Sequence, residues 1–310
     1  MSPEQPEQSG QRSSLSPLVL VAIAVTLLAW ASAFVVIRGT APSFSGGGLA
    51  LGRIVIGSVL LSFVLIGRRW VAPTRREWLL IVAFGVAWFG GYNVALNIAE
   101  QSLDAGTTAM IVNIGPILIA LGAGIFLREG IPRWLAIGAG IAFLGVLLIG
   151  FGMGSAGVGD GTGVIWCLVA AVAYTAGVLC QKPAITRLPN AQVTWLGCMI
   201  GMLACLPFSG ELIRDLQTAP VEAILGVVYL GAIPTALAFS TWAYALSRMP
   251  ASQLGVSTYI VPPLVVILAL IVFGEVPTIA AIFGGAICLL GVALSRKRSR
   301  IPEPAETLAE

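Results

Sequence analysis

Runs of about twenty apolar residues recur ten times along the chain, separated by short breaks that carry charge or Pro and Gly. A helix rising 1.5 Å per residue needs about 20 such residues to cross the hydrocarbon of a bilayer, whereas barrel strands show alternating segments of about ten. These runs do not alternate. The pattern therefore predicts helices at 16–37, 46–67, 77–100, 103–127, 132–152, 162–184, 191–209, 220–246, 251–274 and 277–295. The longest connections, 153–161 and 210–219, leave no room for a folded soluble domain. The expected class is all-α, a polytopic membrane protein of ten transmembrane helices.

The stretch 105–148 recurs 146 positions later as 251–294. In that register Ile114 matches Ile260, Pro116 matches Pro262, Glu129 matches Glu275, and Gly138 and Gly145 match Gly284 and Gly291. Chance similarity between apolar runs would match Leu with Val, not a proline, a glutamate and two glycines in one ungapped register. The expected organisation is a five-helix unit at 16–152 and a second at 162–295. An odd number of spans per unit makes the second copy enter the membrane from the opposite side, so the repeats are expected to be inverted, with Glu129 and Glu275 at opposite faces.

Composition agrees with this pattern. The chain is 57% apolar and 10% charged over 310 residues, with a mean hydropathy of +0.96, too little charge for a soluble surface of this size. The first apolar run is longer than the core of a signal peptide and lacks a small-residue cleavage pattern, so it is kept as the first span. Cys167, Cys180, Cys198, Cys205 and Cys288 all fall inside apolar runs without CxxC spacing, as small buried hydrophobes do. With no histidine in the chain, neither an imidazole relay nor an ordinary metal cluster is expected, and no cofactor is either. Gly152, Gly154 and Gly157 spell GxGxxG, but they follow a membrane helix rather than a strand, which argues against nucleotide binding.

Basic loop residues resist translocation. With the amino terminus inside, fourteen of the seventeen Lys and Arg residues fall on the inner side, among them Arg68, Arg69, Arg75, Arg76, Arg133, Lys182, Arg187 and Arg248. Only Arg38 and Arg214 fall outside, where Glu100, Asp104, Asp160, Glu211, Asp215, Glu222 and Glu275 gather. Both termini are accordingly expected in the cytoplasm, with the chain multi-pass in a bacterial inner (plasma) membrane.

Several elements in fixed order carry a family resemblance: Ala29, Trp30, Ala31 and Ser32 in the first span, Arg53 in the second, the Ala-Gly-Thr-Thr-Ala opening of the fourth, and a mid-span proline followed by a terminal glutamate in each half (Pro116 and Glu129; Pro262 and Glu275). Over 16–295 the chain resembles the drug/metabolite transporter superfamily in its EamA branch of ten-helix carriers. Within that branch it is similar to the YddG-type exporters of aromatic amino acids. One departure stands out: those exporters place a bulky aromatic directly before the fourth-span proline, and here Ile114 and Gly115 precede Pro116.

Carriers built from inverted repeats bind substrate near the midplane, where the halves meet. Asn113 and Tyr259 occupy equivalent positions, each three residues before its proline; Trp30 and Tyr174 are equivalent if Arg38 is matched to Lys182. Each proline removes a backbone donor and loosens the helix one turn earlier, which suits a cavity wall or a packing kink. In the third span Trp88 and Tyr92, and Asn93 and Asn97, form two stripes at helical spacing. The eighth span offers Thr241. The expected substrate-binding set is Trp30, Tyr92, Asn93, Asn97, Asn113, Tyr174, Thr241 and Tyr259, with Arg53, Pro116 and Pro262 in gating or structural roles. Arg53, the basic residue deepest in a span, either meets a substrate carboxylate or pairs with Asp104, Glu100 or helix-end carbonyls. Trp70, Trp78, Trp134, Trp166 and Trp195 lie near span ends, as interfacial anchors do.

These features describe a secondary carrier that exports small organic metabolites, amino acids foremost, by alternating access. The alternatives are a multidrug or other metabolite efflux carrier, or a non-transporting integral membrane protein. No acid–base–nucleophile cluster suggests an enzyme, and the absence of a Walker motif or soluble domain excludes direct use of ATP. The expected partners are a small-molecule substrate and membrane lipid, with no nucleic acid. Glu77, Glu100, Glu129 and Glu275 read as helix-end anchors. With no central carboxylate, facilitated diffusion or exchange is expected rather than proton antiport.

Overall fold

The structure, a computed structural model, describes residues 16–126, 133–155 and 161–295. Among these residues it is helical throughout, without strands. Glu129 lies outside them, as do Arg12, Arg128, Gly157, Asp160 and the basic run 296–300. The elements are α1 (Pro17–Thr40), α2 (Gly46–Leu65), α3 (Arg75–Ser102), α4 (Ala105–Phe126), α5 (Arg133–Ser155), α6 (Thr162–Ala184), α7 (Asn190–Cys205), α8 (Ser209–Thr218), α9 (Val221–Leu246), α10 (251–273) and α11 (Ile279–Ser295). Seven stretches are long and apolar enough to cross a membrane, and the shorter apolar helices Ile137–Ile149, Thr258–Phe273 and Ile279–Gly291 supply three more. The protein is an all-helical, polytopic membrane protein, with ten apolar helical stretches among the described residues.

α8 corrects the sequence reading of 210–219 as a plain connection. Its ten residues form an amphipathic helix that lies on the head of α2, where glycines leave room. A Cβ on Gly52 would meet Leu212 at 3.2 Å, and one on Gly48 would meet Asp215 at 2.6 Å. Asp215 accepts hydrogen bonds from the Ser45 backbone N–H and hydroxyl, both at 2.9 Å, while Ser45 caps α2 by accepting from the Gly48 N–H. α9 packs beside it on α2, since a Cβ on Gly52 would also meet Val227 at 2.9 Å.

Two helices depart from α-geometry at matching places. α3 winds as a π-helix over Gly85–Tyr92 and α9 over Gly231–Leu237, so the two wide turns begin 146 positions apart. A π-turn leaves carbonyls poorly satisfied, and side chains fill the gap: Asn93 Nδ2 donates to the carbonyls of Trp88 and Phe89, and the Thr235 hydroxyl to that of Leu230. Pro234 sits inside the second wide turn, where its missing N–H costs least. α4 and α10 break in the same register. α4 is interrupted at Asn113 and Ile114, just before Pro116, and α10 tightens to a 3-10 turn at Thr258–Ile260, just before Pro262. The loosening follows from the absent proline donor.

α5 and α11 make the closest backbone approach. A Cβ on Gly145 would stand 2.5 Å from the Gly284 carbonyl, and one on Gly291 2.5 Å from that of Gly138. Cys288 adds an Sγ–H bond to the Ala142 carbonyl at 3.0 Å. These glycines therefore join the two halves. Gly140, on the same helix, meets nothing within 4 Å, and Gly285 packs on Met110 instead.

Charges gather at the two ends. At the end that carries α8, Arg38 bonds Glu275 at 2.9 Å and donates to the Glu100 carbonyl. At the other end Arg187 pairs with Glu77, which forms a capping box with Thr74 at the head of α3. Lys182 donates to the carbonyls of Leu246 and Met249.

The glycine contact makes a test. Gly145→Ala forces α5 and α11 apart and is expected to lose about 1–3 kcal/mol, as overpacking does, read as a lower melting temperature of the detergent-purified protein. Gly140→Ala, with open space and better helix propensity, is expected to melt at or slightly above the wild-type temperature.

Candidate functional site

Between the helices lies a cavity lined by residues of seven helices. α1 contributes Trp30, Ala33 and Phe34; α2 contributes Arg53; and α3 contributes Trp88, Tyr92, Asn93 and Leu96. Ala109, Val112 and Asn113 come from α4, Tyr174 from α6, Phe239 from α9, and Thr258 and Val261 from α10. The irregular backbone explains this convergence. Asn93 directly follows the π-turn of α3, and Asn113 and Thr258 stand at the breaks of α4 and α10.

One wall is an aromatic box drawn from four helices. Trp30 lies 4.9 Å from Trp242 and 5.7 Å from Phe239, ring centre to ring centre, while Trp88 lies 5.0 Å from Tyr174 and 4.9 Å from Phe239. Tyr92 extends the box, 6.1 Å from Tyr174. Most of these pairs meet at tilted or edge-on angles, the arrangement the ring quadrupoles favour. The indole N–H of Trp30 donates to the Pro234 carbonyl inside the α9 wide turn at 3.3 Å, fixing the ring. Trp88 is held from behind, because Gly177 lacks the Cβ that would stand 2.6 Å from the Trp88 Cβ.

The other wall is polar and incompletely bonded. Arg53 is 3% exposed, and its Nε donates to the Thr235 hydroxyl at 3.3 Å, while Nη1 has no partner. It belongs to neither ion pair among the described residues. Asn93 uses its Nδ2 on two carbonyls, which assigns the amide and leaves Oδ1 as an unmatched acceptor. Asn113 Nδ2 and the Tyr174 hydroxyl are unmatched as well. An unmade hydrogen bond in a buried group costs about 1–3 kcal/mol. Four such groups belong to residues that line one cavity, which makes it the candidate site for a polar ligand.

Of the residues expected from sequence, the cavity brings together Trp30, Tyr92, Asn93, Asn113, Tyr174 and Arg53. It does not bring Asn97, Thr241 or Tyr259. Asn97 Nδ2 donates to the Gly46 carbonyl at 3.1 Å and ties α3 to α2. The Thr241 hydroxyl lies 2.7 Å from that of Thr26, locking α9 against α1. Tyr259 packs, half-buried, against the main apolar core, and its neighbour Thr258 lines the cavity instead. Pro116 and Pro262 stand just beyond the helix breaks rather than in the lining. Among the residues the sequence reading missed is Phe239, which the 146-residue offset pairs with Asn93; the same offset pairs Thr258 with Val112, and all four line the cavity.

Glu100 requires a correction. It was expected to anchor a helix end in water or headgroups, yet it is 0% exposed and neither carboxylate oxygen has a hydrogen-bond partner. α3 continues to Ser102, and the Arg38–Glu275 pair closes over this region.

Known proteins resemble the chain along most of its length. A probable terminal-alkyne amino-acid exporter of Streptantibioticus cattleyicolor is 32% identical over 280 residues, covering 90% of this chain and 93% of that protein. The uncharacterized transporter YdfC of Bacillus subtilis is 32% identical over 282 residues, covering 89% and 90%. A probable amino-acid metabolite efflux pump of Salmonella typhimurium is 22% identical over 237 residues, covering 73% and 79%. A crystal structure 19% identical in sequence matches with a TM-score of 0.62 over 91% of this chain and 98% of its own, a likeness of fold alone. These relatives are transporters, not enzymes, and with the family profile matching residues 17–151 and 161–296 the chain belongs to the EamA-like transporter family of the drug/metabolite transporter superfamily.

Proposed function

We propose that this transporter exports small zwitterionic metabolites, amino acids with aromatic or other neutral side chains foremost, by alternating access between two inverted five-helix halves. The carrying observation is the cavity lining, which offers Arg53, Asn113 and Tyr174 as unmatched donors, Asn93 Oδ1 as an unmatched acceptor, and an aromatic box beside them. A carboxylate suits the donors, an ammonium suits the acceptor, and an apolar side chain suits the rings. The names of the Streptantibioticus and Salmonella relatives support the same substrate class. An aromatic box alone would equally suit a lipophilic cation. The lining, however, holds a guanidinium and no carboxylate among the described residues, which opposes a cationic drug.

Alternating access between inverted halves is supported by the matched registers of the π-turns and proline breaks. We place both termini in the cytoplasm, within a bacterial inner membrane, on the distribution of basic residues.

Counterflow of labelled phenylalanine in proteoliposomes tests the substrate class. Wild-type protein is expected to exchange phenylalanine and to leave tetraphenylphosphonium untouched; the reverse result would sink the proposal. Arg53→Gln is expected to weaken phenylalanine about 10- to 100-fold, because a hydrogen bond to a charged group contributes about 1.5–3 kcal/mol. Orientation is checked in intact cells with a membrane-impermeant maleimide on a chain freed of its native cysteines. A cysteine replacing Gly210 is expected to label from outside and one replacing Ser247 only after the cells are opened. Labelling of both from the same side would contradict the arrangement.

A further inference from the structure

Arg38 and Lys182, matched between the two halves, carry equivalent bonds at opposite ends of the molecule. Arg38 of α1 donates to the Glu100 carbonyl at 3.3 Å, in the last turn of α3. Lys182 of α6 donates to the carbonyl of Leu246, the last residue of α9, and to that of Met249 at 2.9 Å. Glu100 and Leu246 stand 146 positions apart, the same offset that relates the π-turns of these two helices. Each cation also meets the negative end of a helix dipole. One joint, first span to third, is thus made twice, although the cation changes from guanidinium to ammonium.

Both joints lie just beyond the cavity. Phe34 and Leu96 line it, and Arg38 and Glu100 follow them by four residues, one turn closer to the end that carries α8. Tyr174 and Phe239 line it too, and Lys182 and Leu246 follow by eight and seven, two turns closer to the opposite end. A substrate leaving between α1 and α3, or between α6 and α9, has to part these bonds. At the α8 end Arg38 also reaches the other half through Glu275 at 2.9 Å. The chain around that pair is closely packed: a Cβ on Gly39 would meet Phe273 at 3.3 Å, and one on Gly106 would meet Pro277 at 2.9 Å. The pair itself keeps partial exposure, 32% for Arg38 and 25% for Glu275, and an ion pair so placed contributes little net and parts readily.

We propose that Arg38 and Lys182 are gating residues of transport: Arg38, with Glu275, latches the cavity at the α8 end, and Lys182 latches it at the opposite end. Each access state opens by releasing one latch while the other holds. Removing a latch therefore favours the state open at its own end. This inference rests on the alternating access proposed above.

The test reads accessibility and needs no substrate. Ala33→Cys, in the cavity lining, is introduced into the full chain freed of its native cysteines and labelled with a membrane-impermeant maleimide, from outside in intact cells and from inside in inverted vesicles. With both latches intact, slow labelling from each side is expected. Arg38→Met is expected to speed labelling from outside and slow it from inside, and Lys182→Met to do the reverse, each by about 2- to 10-fold, the weight of one such bond in a two-state equilibrium. A merely structural loss would raise both rates together, and that result, or no change in either variant, would overturn the latches. Should a Met variant fail to fold, Glu275→Gln decides, since it removes the ion pair and leaves the Arg38 bond to the Glu100 carbonyl: faster labelling from outside supports the latch, and an unchanged rate overturns it. Reciprocal shifts with the sides exchanged would support the latches and overturn the orientation. Labelling confined to one side in every variant would overturn alternating access itself, and the latches with it.

Discussion

A polar group inside a lipid-embedded bundle has no water to fall back on, so it must find a partner within the protein or face a cavity. This constraint organises nearly every irregular feature of the structure. Where α3 and α9 widen into π-turns, Asn93 and Thr235 return the loosened carbonyls to the hydrogen-bond inventory. Where α2 begins, Ser45 caps it, and Asp215 in turn accepts from Ser45. Asn97 and Thr241, polar residues in mid-helix, are met by Gly46 and Thr26. In the cavity the pattern stops. Arg53 Nη1, Asn93 Oδ1, Asn113 Nδ2 and the Tyr174 hydroxyl remain open on residues that line it, while Gln181, Thr194 and Trp242 carry open atoms elsewhere in the bundle.

Close glycine contacts hold the frame that keeps this surface open. Gly145, Gly284 and Gly291 let α5 and α11 meet backbone to backbone, away from the cavity, whose lining comes from α1 to α4, α6, α9 and α10. The halves also cohere through the cavity helices themselves, where Thr26 meets Thr241, Trp30 the Pro234 carbonyl and Arg53 Thr235. With small residues at the joint, van der Waals contact substitutes for the hydrophobic drive that lipid cannot supply.

The spans were legible in the sequence because hydrocarbon thickness imposes a length that few other folds share. The loosening before Pro116 and Pro262 was legible too, since a missing N–H acts locally. What sequence concealed was tertiary. α8 is short and polar on one face, so its ten residues read as a loop until α2 is seen to receive Leu212. Nothing local separates Asn97 from Asn93, each of which leaves Oδ1 unmatched; the difference is that Asn97 Nδ2 reaches the distant Gly46 carbonyl and Asn93 Nδ2 the carbonyls of its own wide turn. Glu100 sits two residues from the end of its helix, where carboxylates ordinarily reach water, yet it is buried, with Arg38 of α1 donating to its backbone carbonyl. Phe239 was within reach, because the 146-residue register that drew attention to Asn113 also links it to Asn93.

The duplicated backbone carries chemistry that is not duplicated. Matching registers supply matching wide turns and matching breaks, yet the side chains placed there differ. The first half contributes Arg53, Asn93 and Asn113, while Tyr174, Phe239, Thr258 and Val261 come from the second. Under the proposed alternating access the related frame would give the halves two related packings, whereas the unequal lining would offer a zwitterion one orientation: carboxylate toward α2 and α4, apolar side chain toward α6 and α9. A substrate held so would keep its carboxylate against the same guanidinium, Arg53, whichever end of the proposed carrier was open.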